Sequence, residues 1–322
     1  MSAYDVFNGD ADGLCALQQL RLDTPREAHL VTGAKRDIAL LQRVPAHAGD
    51  AITVLDVSLA RNRDALDRVL AAGASVRWFD HHHAGDVPGH PRLEAHIDES
   101  PETCTSLIVD RHLGGRHRAW AVVGAFGDNL GGQAQRLAAT LGLAAAAIDV
   151  LRELGESLNY NAYGVATGDL FVAPDELHRR MRGCESPLAF AASEPAVEAM
   201  HARRRADLAE ATALPPESIS PHVAVYRLPD APWARRIGGT FAHHLARQHP
   251  RRAHGVLGPN ADGTYWASIR APLARPYEAG TIARRFSTGG GREAAAGIER
   301  LAPESIGAFV AALAAAYGPE PS

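Results

Sequence analysis

The sequence predicts a two-domain α/β protein, with an N-terminal domain on a parallel sheet and a smaller C-terminal α/β domain. Three observations predict it. The 322 residues exceed what one hydrophobic core usually serves. Short apolar runs alternate with helical patterns through the first part, as in βαβ units. A polar, proline-punctuated stretch then precedes a second set of strands and helices. The 46% apolar and 22% charged content is that of a globular chain, excluding fibrous or disordered classes.

Residues 4–7 read as the first strand, followed by a helix over about 13–22. Residues 29–32 form a second short strand, and 36–44 are expected to be helical. Two further strands lie at 51–55 and 76–79. Between them, 61–72 places Leu66, Val69 and Leu70 on one face, as a crossover helix requires. From Thr105 to about Tyr160 the pattern is helical, with glycine breaks at Gly114, Gly115, Gly131, Gly132 and Gly142. Within it, the alanine-rich stretch 137–148 reads as a buried helix. Residues 194–213 predict a long polar helix that Pro215 and Pro216 stop. The expected division is 1–190 for the first domain, 191–220 for a helical connection and 221–322 for the second domain. The latter offers strands at 223–227, 255–257 and 265–269 and helices at 236–247 and 304–316.

Cys15, Cys104 and Cys184 have no paired spacing, which disfavours disulfides, zinc sites and redox motifs. Residues 1–7 lack a signal-peptide pattern and no apolar stretch reaches membrane-spanning length, so a cytoplasmic protein without a membrane partner is expected. The net charge of −4 gives no global attraction to nucleic acid. Between residues 231 and 300, however, eleven arginines face four carboxylates. That segment suits phosphate, although a solvated basic face has the same composition. Lys35 is the chain's only lysine.

Asn8-Gly9-Asp10-Ala11-Asp12-Gly13 follows the first strand and opens the first helix. Two carboxylates two residues apart in an extended segment project to one side. A calcium loop is disfavoured because its twelfth position would be Gln19 and residues 14–17 are apolar. Helix capping by the aspartates is the simpler alternative. A second strand ends in Asp56 and a third in Asp80-His81-His82-His83. In open α/β sheets ligands bind beyond the carboxyl ends of the strands, where these three groups would converge. Carboxylates with imidazole suit Mn²⁺, with Mg²⁺ as the alternative, and a pair of such ions can activate water for attack on phosphorus.

With these motifs the chain resembles the DHH phosphoesterase family, which includes RecJ-type exonucleases and nanoRNase-type oligoribonucleases. Asp10-Ala11-Asp12-Gly13, Leu55-Asp56, Asp80-His81-His82 and Gly127-Asp128 resemble its four signatures in order and spacing. The resemblance implies two ions bridged by Asp56, with Asp10 on one and Asp12, His81 and Asp128 on the other. It makes His82 the group facing substrate and Asp80 the residue that orients an imidazole. His83 is read as exposed. Gly168-Asp169 makes Asp169 the alternative to Asp128. Val6 stands where many members have histidine and Asn8 where RecJ-type chains have aspartate, so the resemblance implies a poorly liganded Asp10 ion unless Asn8 lends its amide oxygen or water fills in.

The run 289–297 is similar to the glycine-rich signature of the DHH-associated substrate domain, with Ser268-Ile269-Arg270 as its preceding strand. That implies substrate contacts from Ser268, Arg270, Gly289, Gly290, Gly291 and Arg292, with Arg270 gripping phosphate. Arg292 replaces the family's usual histidine.

The expected activity is removal of nucleoside monophosphates from short single-stranded oligonucleotides. The alternatives are a phosphodiesterase or phosphatase of small nucleotides and a nucleotide-binding protein with a weakened centre. The expected state extends to a homodimer.

Overall fold

The computed structural model describes residues 1–164 and 167–318. The chain divides into two compact units, Met1–Ala202 and Arg203–Ser322. The boundary falls inside a continuous helix, Pro195–Thr212, which the sequence reading places in the connection.

The first unit begins β1 (Ala3–Phe7), α1 (Ala11–Asp23), β2 (His29–Val31), β3 (Ala51–Leu55), α2 (Arg63–Ala71), β4 (Ser75–Asp80) and β5 (Leu93–Ile97). The five strands form one parallel sheet in the order β2-β1-β3-β4-β5. Successive strand residues face opposite sides. Val6, Val54 and Trp78 pack with Leu66, Val69 and Leu70 of α2. Phe7, Leu55 and Phe79 join Leu14, Leu17 and Leu20 of α1 in a second core. Burial on both sides explains why these strands read as apolar runs rather than alternating ones.

That second core is completed by α3 (Thr105–His112), α4 (Arg118–Gly127), α5 (Gly131–Ala139), α6 (Ala145–Ala162), α7 (Pro174–Met181) and α8 (Pro187–Ser193), after which α9 (Pro195–Thr212) begins. Residues 120–127 of α4 are buried throughout, against α1 and α6. Gly127 permits the approach, since a Cβ there would lie 2.3 Å from the Cβ of Ala11.

Three expectations change. The proposed helix over 36–44 is only a short 3-10 segment, Leu40–Arg43. Tertiary bonds hold the chain just before it: Lys35 N–H donates to Ala162 O, and Lys35 O accepts from Asn8 Nδ2. The stretch 137–148 is not one buried helix, because α5 ends at Ala139, α6 starts at Ala145 and most of the intervening residues are exposed or half-buried. Gly142, at φ +63°, makes the break. Finally, β5 carries the charged and polar residues Glu94 and His96 at the sheet edge, which hid it from a search for apolar strands.

The second unit contains β6 (Ser218–Ile219), β7 (Val223–Arg227), α10 (Pro232–Gln248), β8 (Ala253–Pro259), β9 (Tyr265–Arg270), α11 (Ala279–Ala283), β10 (Gly289–Gly291), β11 (Ala295–Leu301) and α12 (Ile306–Tyr317). Its sheet order is β10-β11-β9-β8-β7-β6, with only β7 and β8 parallel. Phe309 and Leu313 of α12 pack on Val225, Leu257 and Ile269. No helix among the described residues is long and apolar enough to cross a membrane.

Each unit also buries a histidine. Burial foremost holds the pKa of His178 in the first unit and His254 in the second down to about 4. A histidine depressed in the folded state contributes stability above its unfolded pKa that is lost as pH falls toward the folded one. The unfolding free energy from urea titration should therefore drop between pH 7 and pH 5, by on the order of 2 kcal/mol per histidine, with the midpoint falling in step. Unchanged midpoints for a His178→Gln, His254→Gln double variant over that range, against a drop in wild type, would assign the loss to these rings.

Candidate metal centre

Because β1, β3 and β4 are parallel neighbours, their carboxyl ends lie side by side. Asn8 N–H donates to Leu55 O and Asp56 N–H to Phe79 O, which carries the ladder just past the strand ends. The functional residues follow at once.

Asp10 is the N-cap of α1, its Oδ1 accepting from the amides of Asp12 at 3.0 Å and Gly13 at 3.1 Å. The capping reading and the site reading therefore both apply to it. Gly13 is required by space, as a Cβ there would meet Asn8 O at 2.2 Å. Asp12, one residue into the helix, reaches across the core to α3. Its Oδ2 accepts from Thr105 N at 2.7 Å and its Oδ1 from Ser106 N at 2.8 Å, so one carboxylate closes the start of a distant helix. Asp56 sits at φ +58°, a left-handed conformation that aspartate tolerates better than most side chains. Thr105 Oγ1 donates to its Oδ1 at 3.3 Å.

His81 Nε2 faces three carboxylates: Asp56 Oδ1 at 3.4 Å, Asp128 Oδ2 at 3.9 Å and Asp12 Oδ2 at 4.0 Å. Asp128 is the C-cap residue of α4, which delivers it from the helical side. Asp169, the alternative, lies half-buried in the turn Thr167–Asp169. Asp80 Oδ1 is 2.7 Å from His82 Nδ1, and the His82 side chain is 45% exposed, open to a substrate. His83 is exposed and pairs with Glu99. Asn8 does not stand free as a ligand: its Oδ1 accepts from Asp10 N and its Nδ2 donates to Lys35 O.

The electrostatics describe a centre short of positive charge. Burial, then the charges of Asp10 and Asp12, push the Asp56 carboxyl well above the usual range. Asp128 is raised too, by burial first. Burial would lower His81, yet its bond to Asp56 and the fields of Asp12 and Asp128 lift it to about 10. Each of these shifts favours the protonated form of its group. A divalent cation at Asp12, Asp56, His81 and Asp128 would supply the same charge, and three carboxylates with one imidazole are an apt donor set for it. Binding must displace those protons. Mn²⁺ affinity should consequently rise by roughly a decade or more per unit between pH 6 and pH 8; calorimetry giving a pH-independent affinity would refute this.

Sequence reasoning missed several residues of this centre. Lys35 Nζ lies 2.5 Å from Asp10 Oδ2 and 3.0 Å from Asn159 Oδ1, with the Tyr163 ring centroid at 5.5 Å. Lys35 carried a signal, being the only lysine, but nothing linked it to Asn159, 124 residues on.

In the second unit Gly289–Gly291 form an edge strand. Gly290 pairs with Gly297, and Gly297 with Ser268, in adjacent strands. The turn joining β10 to β11 closes through Arg292 and Ala295, leaving Arg292 exposed. Arg270 donates from its guanidinium to Ser268 Oγ and Ile269 O, each at 3.0 Å.

No protein-family profile matches the chain, and no curated protein matches it. Solved structures do. A manganese-bound RecJ exonuclease is 17% identical, with 99% of this chain and 91% of that one covered and a TM-score of 0.58. RecJ from Thermus thermophilus with Mn²⁺ is 18% identical with a TM-score of 0.59, covering 98% of this chain and 52% of its own, so this chain spans about half of that protein. A pGpG-specific phosphodiesterase, PggH from Vibrio cholerae, is 15% identical, covers 98% of both chains and has a TM-score of 0.54. The chain therefore shares the fold of these RecJ and phosphodiesterase structures.

Proposed function

We propose that this chain is a metal-dependent phosphodiesterase that hydrolyses short oligonucleotides to nucleoside monophosphates. The observation that carries the reading is the convergence of Asp12, Asp56 and Asp128 on His81 Nε2, beside a half-exposed His82 held by Asp80. A divalent ion there, Mn²⁺ by preference, would polarise the phosphoryl group and make water a stronger nucleophile. The protein supplies the rest. Asp12, fixed by two amides of α3, and Asp56, fixed on the ladder, hold the carboxylates in place. Asp80 orients His82, which stabilises charge on the phosphoryl oxygens or gives a proton to the departing ester oxygen as the P–O bond breaks.

Hydrolysis of a small linear or cyclic dinucleotide is a second reading. Its support is the fold shared with the pGpG-specific enzyme, which this chain matches over 98% of both chains. Both readings give the second unit the task of taking phosphate, at Arg270, Ser268, the β10 edge and the exposed Arg292. Replacing Arg270 with alanine should raise KM by roughly tenfold to a hundredfold, the worth of a charge-assisted hydrogen bond, with kcat little changed. An unmoved KM for every substrate would remove Arg270 from recognition.

The deciding experiment incubates the protein with Mn²⁺ and a panel of dinucleotides, longer oligomers, cyclic dinucleotides and bisphosphorylated adenosine. Turnover fastest on two- to five-residue oligomers supports the first reading, and turnover confined to dinucleotides the second. Binding without product on the whole panel would leave a nucleotide-binding protein.

A further inference from the structure

The one lysine of the chain stands beside Asp10 and Asp128 in the carboxylate cluster. All other cationic side chains of this type are arginine, so a lysine at this single position calls for a local cause. The surroundings supply one. Lys35 Nζ reaches Asp10 Oδ2 and Asn159 Oδ1, with Asp128 Oδ1 at 4.0 Å and the Tyr163 ring beside it. These oxygens surround a point, from α1, α6 and the end of α4. A compact ammonium with three rotatable donors satisfies such an arrangement, whereas the planar fork of arginine does not.

The cradle is built, not adventitious. Lys35 N–H donates to Ala162 O on α6, and its carbonyl accepts from Asn8 Nδ2, so the backbone is fixed on both sides. Asn159, which receives the ammonium, is 8% exposed and lies on the same helix as Ala162. Asp10 has spent its other oxygen on the start of α1. Its remaining oxygen is the one that Lys35 takes. Among the described residues no imidazole shares it: His81 makes its contacts with Asp12, Asp56 and Asp128, and position 6, on the strand leading to this corner, is a fully buried valine in the apolar core. Among the described residues, Lys35 is the cation that neutralises Asp10.

We propose that the Lys35 ammonium takes the place of a second metal ion at Asp10, so that the centre works with one divalent cation, held by Asp12, Asp56, His81 and Asp128. An ion entering at Asp10 would have to displace a hydrogen-bonded ion pair whose carboxylate is buried and whose ammonium is half-buried, and stripping a buried carboxylate of its partner is costly. The fixed charge would assist the phosphoryl group where a second ion otherwise stands. The inference rests on the metal-centre reading above and reduces to one the two ions that the family resemblance implies.

The test counts ions. The protein is dialysed to equilibrium against Mn²⁺, assayed for metal per chain, and examined by electron paramagnetic resonance for exchange coupling between neighbouring ions. Glu94, His96 and His112 group their ligand atoms at the surface, so a His112→Gln background removes a competing weak site. In that background the protein should bind one ion with an uncoupled six-line spectrum. Lys35→Ala should admit a second ion and show a coupled pair. Lys35→Gln, which keeps a donor toward Asn159, replaces it if the alanine variant does not fold. A coupled pair with Lys35 present overturns the inference while leaving the metal centre intact. One ion in both lysine variants overturns it also, since Lys35 would then exclude nothing. No ion at all overturns the metal-centre reading itself.

Discussion

Asp56→Asn should abolish hydrolysis, with kcat/KM falling by roughly a thousandfold or more, while the metal-free protein keeps or gains thermal stability. The first half follows from position: Asp56 is the carboxylate nearest His81 Nε2 and also approaches His82 Nδ1, at 3.8 Å. Losing one preorganised electrostatic group in a water-poor site typically costs about 10²–10³ in rate, and loss of metal affinity adds to it. The second half follows from charge. Burial beside Asp10 and Asp12 already disfavours the ionised Asp56, so a neutral amide removes repulsion. Asparagine also tolerates the φ of +58° that alanine would strain. Loss of Mn²⁺ binding with an unchanged or higher metal-free melting temperature is the expected signature. Full activity in this variant would sink the assignment of Asp56 to the centre.

His82→Ala should lower kcat by about 10²–10⁴ and leave Mn²⁺ affinity and KM nearly as they were, the range that general acid–base groups contribute. The ring is held by Asp80, whose side chain is fully buried, and it is 45% exposed while its Nδ1 lies 3.8 Å from Asp56 Oδ1. Asp80→Asn should share the kcat loss at a smaller scale, roughly tenfold to a hundredfold, because it changes how His82 is oriented rather than removing it. A His82→Ala variant whose metal affinity collapses while kcat recovers at high Mn²⁺ would make His82 a ligand instead. Asp56, His81 and His82 do bring one ligand atom each within 4.8 Å of one another, so that outcome is a real competitor.

In the C-terminal signature the local pattern and the element it forms differ. Three consecutive glycines suggest a flexible turn or a phosphate-cradling loop. Instead Gly289–Gly291 is an edge strand, and the turn follows at Arg292. Glycine's lack of a side chain serves packing here: a Cβ on Gly289 would lie 1.8 Å from Ala283 O.

What the sequence determined by itself was the strand-end pattern. Three apolar runs, each followed by carboxylate or imidazole, place Asp10, Asp12, Asp56 and Asp80 to His82 at one sheet edge once the strands are parallel neighbours. That information is local, written in periodicity and in the residues just past each strand. Tertiary structure decided what those residues touch. Asp12 closes α3 through residues 93 and 94 positions away, Asn159 meets Lys35 across 124 residues, and Lys35 occupies the free oxygen of Asp10. Such pairings depend on where packed helices bring side chains that no repeat or spacing connects. A lone lysine could be counted in the sequence; only the fold shows which carboxylate it neutralises.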